Sequence, residues 1–388
     1  MLNAARVEQL TGLRFFAALG VLLCHFYVLT PHLGPKFLFD LGGHGVTLFF
    51  VLSGFVLTWR YDAPDQAIGL TKVSAVPQID LGAFAAVRFA RIAPVYWLTL
   101  TMVLVAYGVF GTGVAMSTRP PSTAEGLGGL VLNALALQAW APSEHVQQFW
   151  NAPGWSISAE MFFYFCFPWL LRLRWLSGSI RSFVLAMAIF SAFLGLYLWI
   201  LQVSGHWDAM GLAFAARLPV LGLWPFVMGI LCCRLLRHSR HMRPHQGALT
   251  LLAVTLLIAV AWAIDKWAPR EAPHLALLLA SHLLYVPLFA FLIVSLVLDS
   301  GPIAQWLSSP LLVLLGNSSY ALYLLHWLPL GIALWWLDDS APSLLGVSLG
   351  ISGLVMLSIL VYRWFETPLR LRLVALLLKG RQNLQRVK

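Results

Sequence analysis

"LTGLRFFAALGVLLCHFYVLT", Leu10 to Thr30, decides the fold class. It is mostly apolar and about as long as the 20 or so residues a helix needs to cross hydrocarbon. It is too long for a signal-peptide core and has no clear small-residue cleavage site, so it is expected to be retained. Yet it carries Arg14 and His25. Ionisable groups inside such a segment cost about 2.5–3.5 kcal/mol at a helix centre, which makes them candidates for function. Arg14 and His25 lie three helical turns and about 20° apart, so they share one face. Counted from Leu10, Arg14 sits about 6 Å into a core about 30 Å thick, and His25 about 22 Å in.

The rest of the chain has the same character. Of its 388 residues, 60% are hydrophobic and 10% charged, which excludes an ordinary soluble domain. Apolar runs predict ten spanning helices near 10–30, 44–60, 92–114, 155–172, 182–204, 217–236, 247–266, 277–298, 311–337 and 343–364. The fold class is therefore an all-α integral membrane protein, a bundle of about ten transmembrane helices. Residues 1–368 form its transmembrane domain, and 369–388 a basic cytoplasmic tail. The Pro-, Ser- and Gly-rich stretch Ser117–Gly129 reads as an exposed loop.

The net charge of +10 does not point to nucleic acid, because the basic residues lie in loops between apolar runs and signal topology. With a cytoplasmic N-terminus, only Lys36, Arg119, Arg217, Lys266 and Arg270 of the 25 basic residues fall outside. Gly126–Trp140, "GLGGLVLNALALQAW", is short for a span and reads as interfacial or re-entrant. Were it to cross, every later loop would flip and the positive-inside bias would reverse. Both termini are therefore expected in the cytoplasm.

All four cysteines fall in apolar segments, so no disulfide framework is implied. The histidines of "RHSRHMRPHQ", Arg237–Gln246, lie among arginines with no acid or thiol nearby, so no metal site is expected.

In "WNAPGWSISAEMFFYFCFPW", Trp150–Trp169, Glu160 is the one carboxylate well inside an expected span, about 8 Å below the outer surface. Ser156 and Tyr164 share its face at i−4 and i+4. That depth matches His25, so a Glu160–His25 pair is expected, the acid orienting the imidazole as a base. Arg88 and Arg91 in "VRFARIAPVYW" stand one turn apart, where two guanidiniums could clamp phosphates or simply meet lipid headgroups. In "LGNSSYALYLLHWLP", Ser319, Tyr323 and His326 share a face, and His326 approaches the depth of His25. "GVTLFFVLSGFVLTW" carries Ser53-Gly54, a site for close helix approach. On these residues alone, an enzyme and a secondary transporter both stand, although matching broken repeats are not evident.

These motifs, in this order, resemble the membrane-bound acyltransferase 3 family, which includes O-acetylases of bacterial O-antigens and exopolysaccharides. Arg14 with His25, "GVTLFFVLSGFVLT", Arg88 with Arg91, "WSISAEMFFYFCFP", "GNSSYALYLLH" and "RWFETP" carry the resemblance over about residues 6–370. The chain departs from it at Met161, where many members carry a second acid, and is similar to the form without a fused esterase-like domain. The resemblance implies transfer of an acyl group, usually acetyl, from cytoplasmic acyl-CoA to a sugar hydroxyl. The acceptor would be a cell-surface or exported polysaccharide or glycoconjugate, free or lipid-linked, in the bacterial cytoplasmic membrane. It implies His25 as the essential histidine and Arg14, Arg88 and Arg91 as arginines needed for activity. Glu160 then orients His25, the arginines meet the phosphates of acetyl-CoA, and Ser156, Tyr164, Tyr323 and His326 are possible oxyanion or acceptor contacts. No metal cofactor is implied.

Overall fold

The computed structural model describes residues 7–31, 34–62, 79–111, 122–173, 175–206, 209–238, 244–268, 273–337 and 342–386. Arg6, Lys72, Arg119, Arg174, Arg240, Arg243, Arg270 and Lys388 of the charge count lie outside these residues. So do His241 and residues 112–121.

The elements are helices, and among the described residues there is no strand. The first seven are α1 (Glu8–Phe26), α2 (Lys36–Gly43), α3 (Gly45–Tyr61), α4 (Leu81–Phe110), α5 (Thr123–Ala134), α6 (Glu144–Gln148) and α7 (Gly154–Leu170). Then come α8 (Ile180–Val203), α9 (Ala209–Arg217), α10 (Pro219–His238), α11 (Ala248–Trp267), α12 (Pro273–Leu279) and α13 (Val286–Leu298). The last five are α14 (Pro302–Leu307), α15 (Pro310–Leu325), α16 (Trp327–Leu337), α17 (Leu344–Leu360) and α18 (Thr367–Arg386).

Eight helical stretches are long and apolar enough to cross a membrane, and the bent pair α15–α16 makes a ninth. The remaining expected segment is α7, whose 17 residues rise about 26 Å. The chain is a multi-pass membrane protein. The short segment at 126–140 is not among them: α5 has 12 residues and rises only about 18 Å. A capping box between Ser122 and Glu125 starts it, and a 3₁₀ turn at Gln138–Trp140 follows it.

Helices meet where side chains vanish. Gly54 on α3 and Gly229 on α10 each lie against the other helix's backbone, so a Cβ at either would collide with a carbonyl. Gly12 on α1 and Gly316 on α15 do the same against Leu307 and Thr11. In lipid, where apolar area alone drives little association, such close approach supplies packing energy. At the end of α3, Arg234 of α10 is ion-paired to Asp62 at 2.9 Å. It also donates to Leu171 O at 2.7 Å and Leu176 O at 2.6 Å, which ties three segments together.

Three expected boundaries need correction. The third span, expected from 92, starts at Leu81 because Asp80 caps Gly82 N and Ala83 N, both at 3.0 Å. Arg88 and Arg91 therefore lie inside a 30-residue helix rather than at its entrance. The segment expected at 311–337 bends by 44° at His326. Pro329 lacks the N–H for the carbonyl four residues back and crowds it, which breaks the helix there. The last helix, expected to stop at 364, runs through a π-helical stretch, Val361–Glu366, straight into α18. The division expected at 368/369, between the transmembrane domain and the basic tail, thus falls inside a helix.

Candidate active site

The interior holds a cavity of about 510 Å³. α3 lines it from Val46 to Arg60, α4 with Arg88 and Arg91, and α7 with Ser156, Glu160 and Tyr164. Arg14 of α1, Tyr320 and Tyr323 of α15 and Arg370 of α18 complete the wall. The α7 residues recur every fourth position, so one helix face delivers all three, as the spacing predicts. Five arginines line this space against a single lining carboxylate, Glu160.

Glu160 does not pair with His25. Its Oε1 accepts from Tyr164 Oη at 2.5 Å and from Ser53 Oγ at 3.3 Å, and its charge acts on Arg14. The two residues are not level either: Ser156, one turn outward of Glu160, meets Tyr323, and the His326–His25 contact lies a further turn on, while the carboxylate faces the arginines. It is their counter-ion.

Arg91 is likewise occupied. Its guanidinium is ion-paired with Glu366, which is 0% exposed, and sits over the Tyr320 ring. Glu366 is a buried carboxylate beside the arginines that the sequence reading did not place there. The expected helix end at 364 hid it, and an acid in the apolar "RWFETP" is the signal that could have found it. Arg88 lies over the rings of Phe84 and Tyr164 at 5.8 and 5.7 Å, its Nε buried without a partner.

His25 finds its partner on α15. His326 Nε2 lies 3.2 Å from His25 Nδ1, and the rings tilt by 31° at 5.1 Å between centroids. His25 Nδ1 also faces Val21 O at 2.9 Å, and His326 Nδ1 faces Tyr323 O at 2.6 Å. A carbonyl oxygen can only accept, so His326 carries its proton on Nδ1 and offers a lone pair at Nε2. His25 then donates from Nδ1, shared between Val21 O and His326. Its Nε2 is left as a free lone pair, the arrangement a general base needs.

Ser156 and Tyr323 come together in the cavity wall, 2.9 Å apart, and both reach Pro153 O at 2.9 and 3.0 Å. Two hydroxyl hydrogens serve three short contacts, so neither is spare for an oxyanion. Tyr164 is committed to Glu160. Beside His25 stands a donor that has no partner among the described residues, the buried Trp327 Nε1, on a ring at 90° to His25 with centroids 5.2 Å apart. His25 is not itself in the cavity wall; Tyr323, one turn before His326, is the link.

His245, from the histidine-rich loop, accepts from Gly247 N at one ring nitrogen and faces Ser295 O with the other. Both nitrogens are committed to structure, as a fixed turn rather than a ligand set requires.

Comparison with known proteins now bears on this arrangement. The family model described as an acyltransferase domain, acyltransferase 3, matches residues 7–363. The chain belongs to the acyltransferase 3 family. It is 30% identical over 342 residues to Acyltransferase MdmB of Streptomyces mycarofaciens, a match covering 84% of this chain and 79% of that protein. It is 22% identical over 386 residues to Peptidoglycan O-acetyltransferase OatA of Listeria monocytogenes serovar 1/2a. That second match takes in 94% of this chain but only 56% of OatA, so the chain spans little more than half of that relative. No solved structure matches. As an acyltransferase 3 member the protein is a membrane acyltransferase, and its relatives point to transfer onto oxygen.

Proposed function

We propose that this acyltransferase 3 member moves an acyl group, acetyl by family default, from cytoplasmic acyl-CoA to a sugar hydroxyl. The acceptor is a cell-surface or exported polysaccharide or glycoconjugate, and the enzyme sits in the bacterial cytoplasmic membrane with both termini inside. One observation carries the reading: one cavity is lined both by five arginines and by the Ser156–Tyr323 contact, which is one helical turn from the His326–His25 pair.

The arginine-rich end suits a polyphosphate ligand. With Arg91 neutralised by Glu366 and Glu160 counted against the rest, the five arginines keep an excess of three positive charges. Arginine binds phosphate oxygens through paired N–H donors, which holds a flexible ligand in one register.

A coenzyme A thioester supplies an activated acyl carbonyl. A sugar hydroxyl is a poor nucleophile until its proton is taken, and His25 takes it at Nε2 as the oxygen attacks the carbonyl. His326 and Val21 O hold the imidazole in the required tautomer and stabilise the charge it gains. The Trp327 Nε1–H is available to the oxygen that becomes negative, a preorganised donor in a water-poor site. As the carbon–sulfur bond breaks, His25 returns the proton to the departing sulfur, and the products are the O-acyl ester and free thiol.

The test is NMR of the host's surface polysaccharides with the gene intact, deleted, and carrying His25→Ala. O-acyl signals that vanish in the last two support the proposal. Identical signals in all three strains would exclude a polysaccharide acceptor.

A further inference from the structure

Two arginines in the cavity wall have no part in the sequence-based reading. Arg60 ends α3, and Arg370 stands in the first turn of α18. Sequence position makes both look like topology signals beside a membrane surface. Both nevertheless line the cavity, and among the described residues neither has a carboxylate partner.

Helix rise gives their level. Ser53 reaches Glu160, which aligns α3 with α7 at that point. Tyr164, which underlies Arg88, is one turn further towards the mouth, about 6 Å. Arg60 is seven residues beyond Ser53, about 10 Å, and so lies past the Arg88 level by several ångströms. By the same measure Arg370, one turn past Glu366 and so past its partner Arg91, lies just beyond the Arg88 level. Arg60 and Arg370 therefore stand nearer the mouth than Arg88 and Arg91, which with Arg14 form an inner tier. From Tyr164 back to Ser156 is about 12 Å, with the histidine pair a further turn on. That is a run for an extended arm rather than for a compact metabolite.

A ligand with two separated phosphate groups matches arginines graded along one wall in this way. We propose that Arg60 and Arg370 form a distinct phosphate subsite that takes the ribose 3′-phosphate of coenzyme A, while the inner tier faces the diphosphate. This rests on the acyl-CoA donor proposed above. It adds a selectivity: the enzyme distinguishes coenzyme A from the same molecule without the 3′-phosphate, and α18 is part of the donor site.

The experiment titrates full-length protein in lipid nanodiscs with coenzyme A and with 3′-dephospho-coenzyme A by calorimetry. The unaltered protein should prefer coenzyme A by roughly tenfold or more, the scale of a charge-assisted contact. In Arg60→Ala and Arg370→Ala the ratio should fall, and in the double variant it should approach one. Arg372→Ala, exposed on the same helix, should leave it unchanged. Using the ratio removes any general loss of folded protein. A ratio near one in the unaltered protein, or one that survives the double substitution, overturns the subsite and leaves the donor reading standing. If the unaltered protein binds neither ligand, the donor reading falls and the subsite falls with it.

Discussion

His25 and His326 are 301 residues apart in the chain, and their imidazoles meet at 3.2 Å. The bend at His326 brings this about: a helix broken by Pro329 turns the imidazole towards α1. Two neutral imidazoles in contact must divide donor and acceptor roles, and the two backbone carbonyls decide which ring plays which.

The division makes a kinetic prediction. His25→Ala should lower kcat by about 10²–10⁴-fold, the usual worth of a positioned base. His326→Ala should cost less, with KM for the donor unchanged. The double variant should be no slower than His25→Ala alone, since the two act as one unit. Initial rates of acyl transfer by purified variants decide it; multiplying effects would mean independent roles.

Trp327→Phe keeps the ring and removes the N–H. If that hydrogen meets the developing oxyanion, kcat should fall by about 10²–10³-fold with little change in melting temperature. A purely packing role would leave the rate near normal.

Glu366→Gln removes a buried charge and strands Arg91. Breaking such a pair on one side costs about 3–5 kcal/mol. The melting temperature should drop, and Arg91→Met combined with Glu366→Gln should recover much of the loss. Thermal unfolding of the three variants in one detergent measures this coupling.

Gly229→Leu should prevent the native bundle from forming, because a Cβ there meets the Val51 carbonyl and neither backbone can yield. Loss of folded protein on size exclusion is the expected result, whereas Gly350→Ala, with open space around it, should behave normally.

Much of this site was legible in the sequence because periodicity reports faces. The stripe of Ser156, Glu160 and Tyr164 follows from helix geometry alone. Depth, however, is one coordinate of three. Counted from assumed helix ends it sets Glu160 and His25 at one level, whereas the contacts put them about two turns apart, and the arginines claim the acid. His326 shares the level of His25 and is the true neighbour. Glu366, Arg60 and Arg370 escaped for another reason: each lies at an expected helix end, where a charged residue reads as a boundary marker. The π-helical continuation at Val361–Glu366 cannot be read from hydropathy, because the composition turns basic where the helix does not stop.

That uninterrupted rod from Leu344 to Lys379 has a practical corollary for anyone handling the gene. A truncation designed at the apparent edge of the membrane region would remove Arg370, Leu371 and Val374, part of the cavity wall, and not a dispensable appendage. Purification handles and fusion partners belong after the helix, spaced by a flexible linker, so that the wall is left whole.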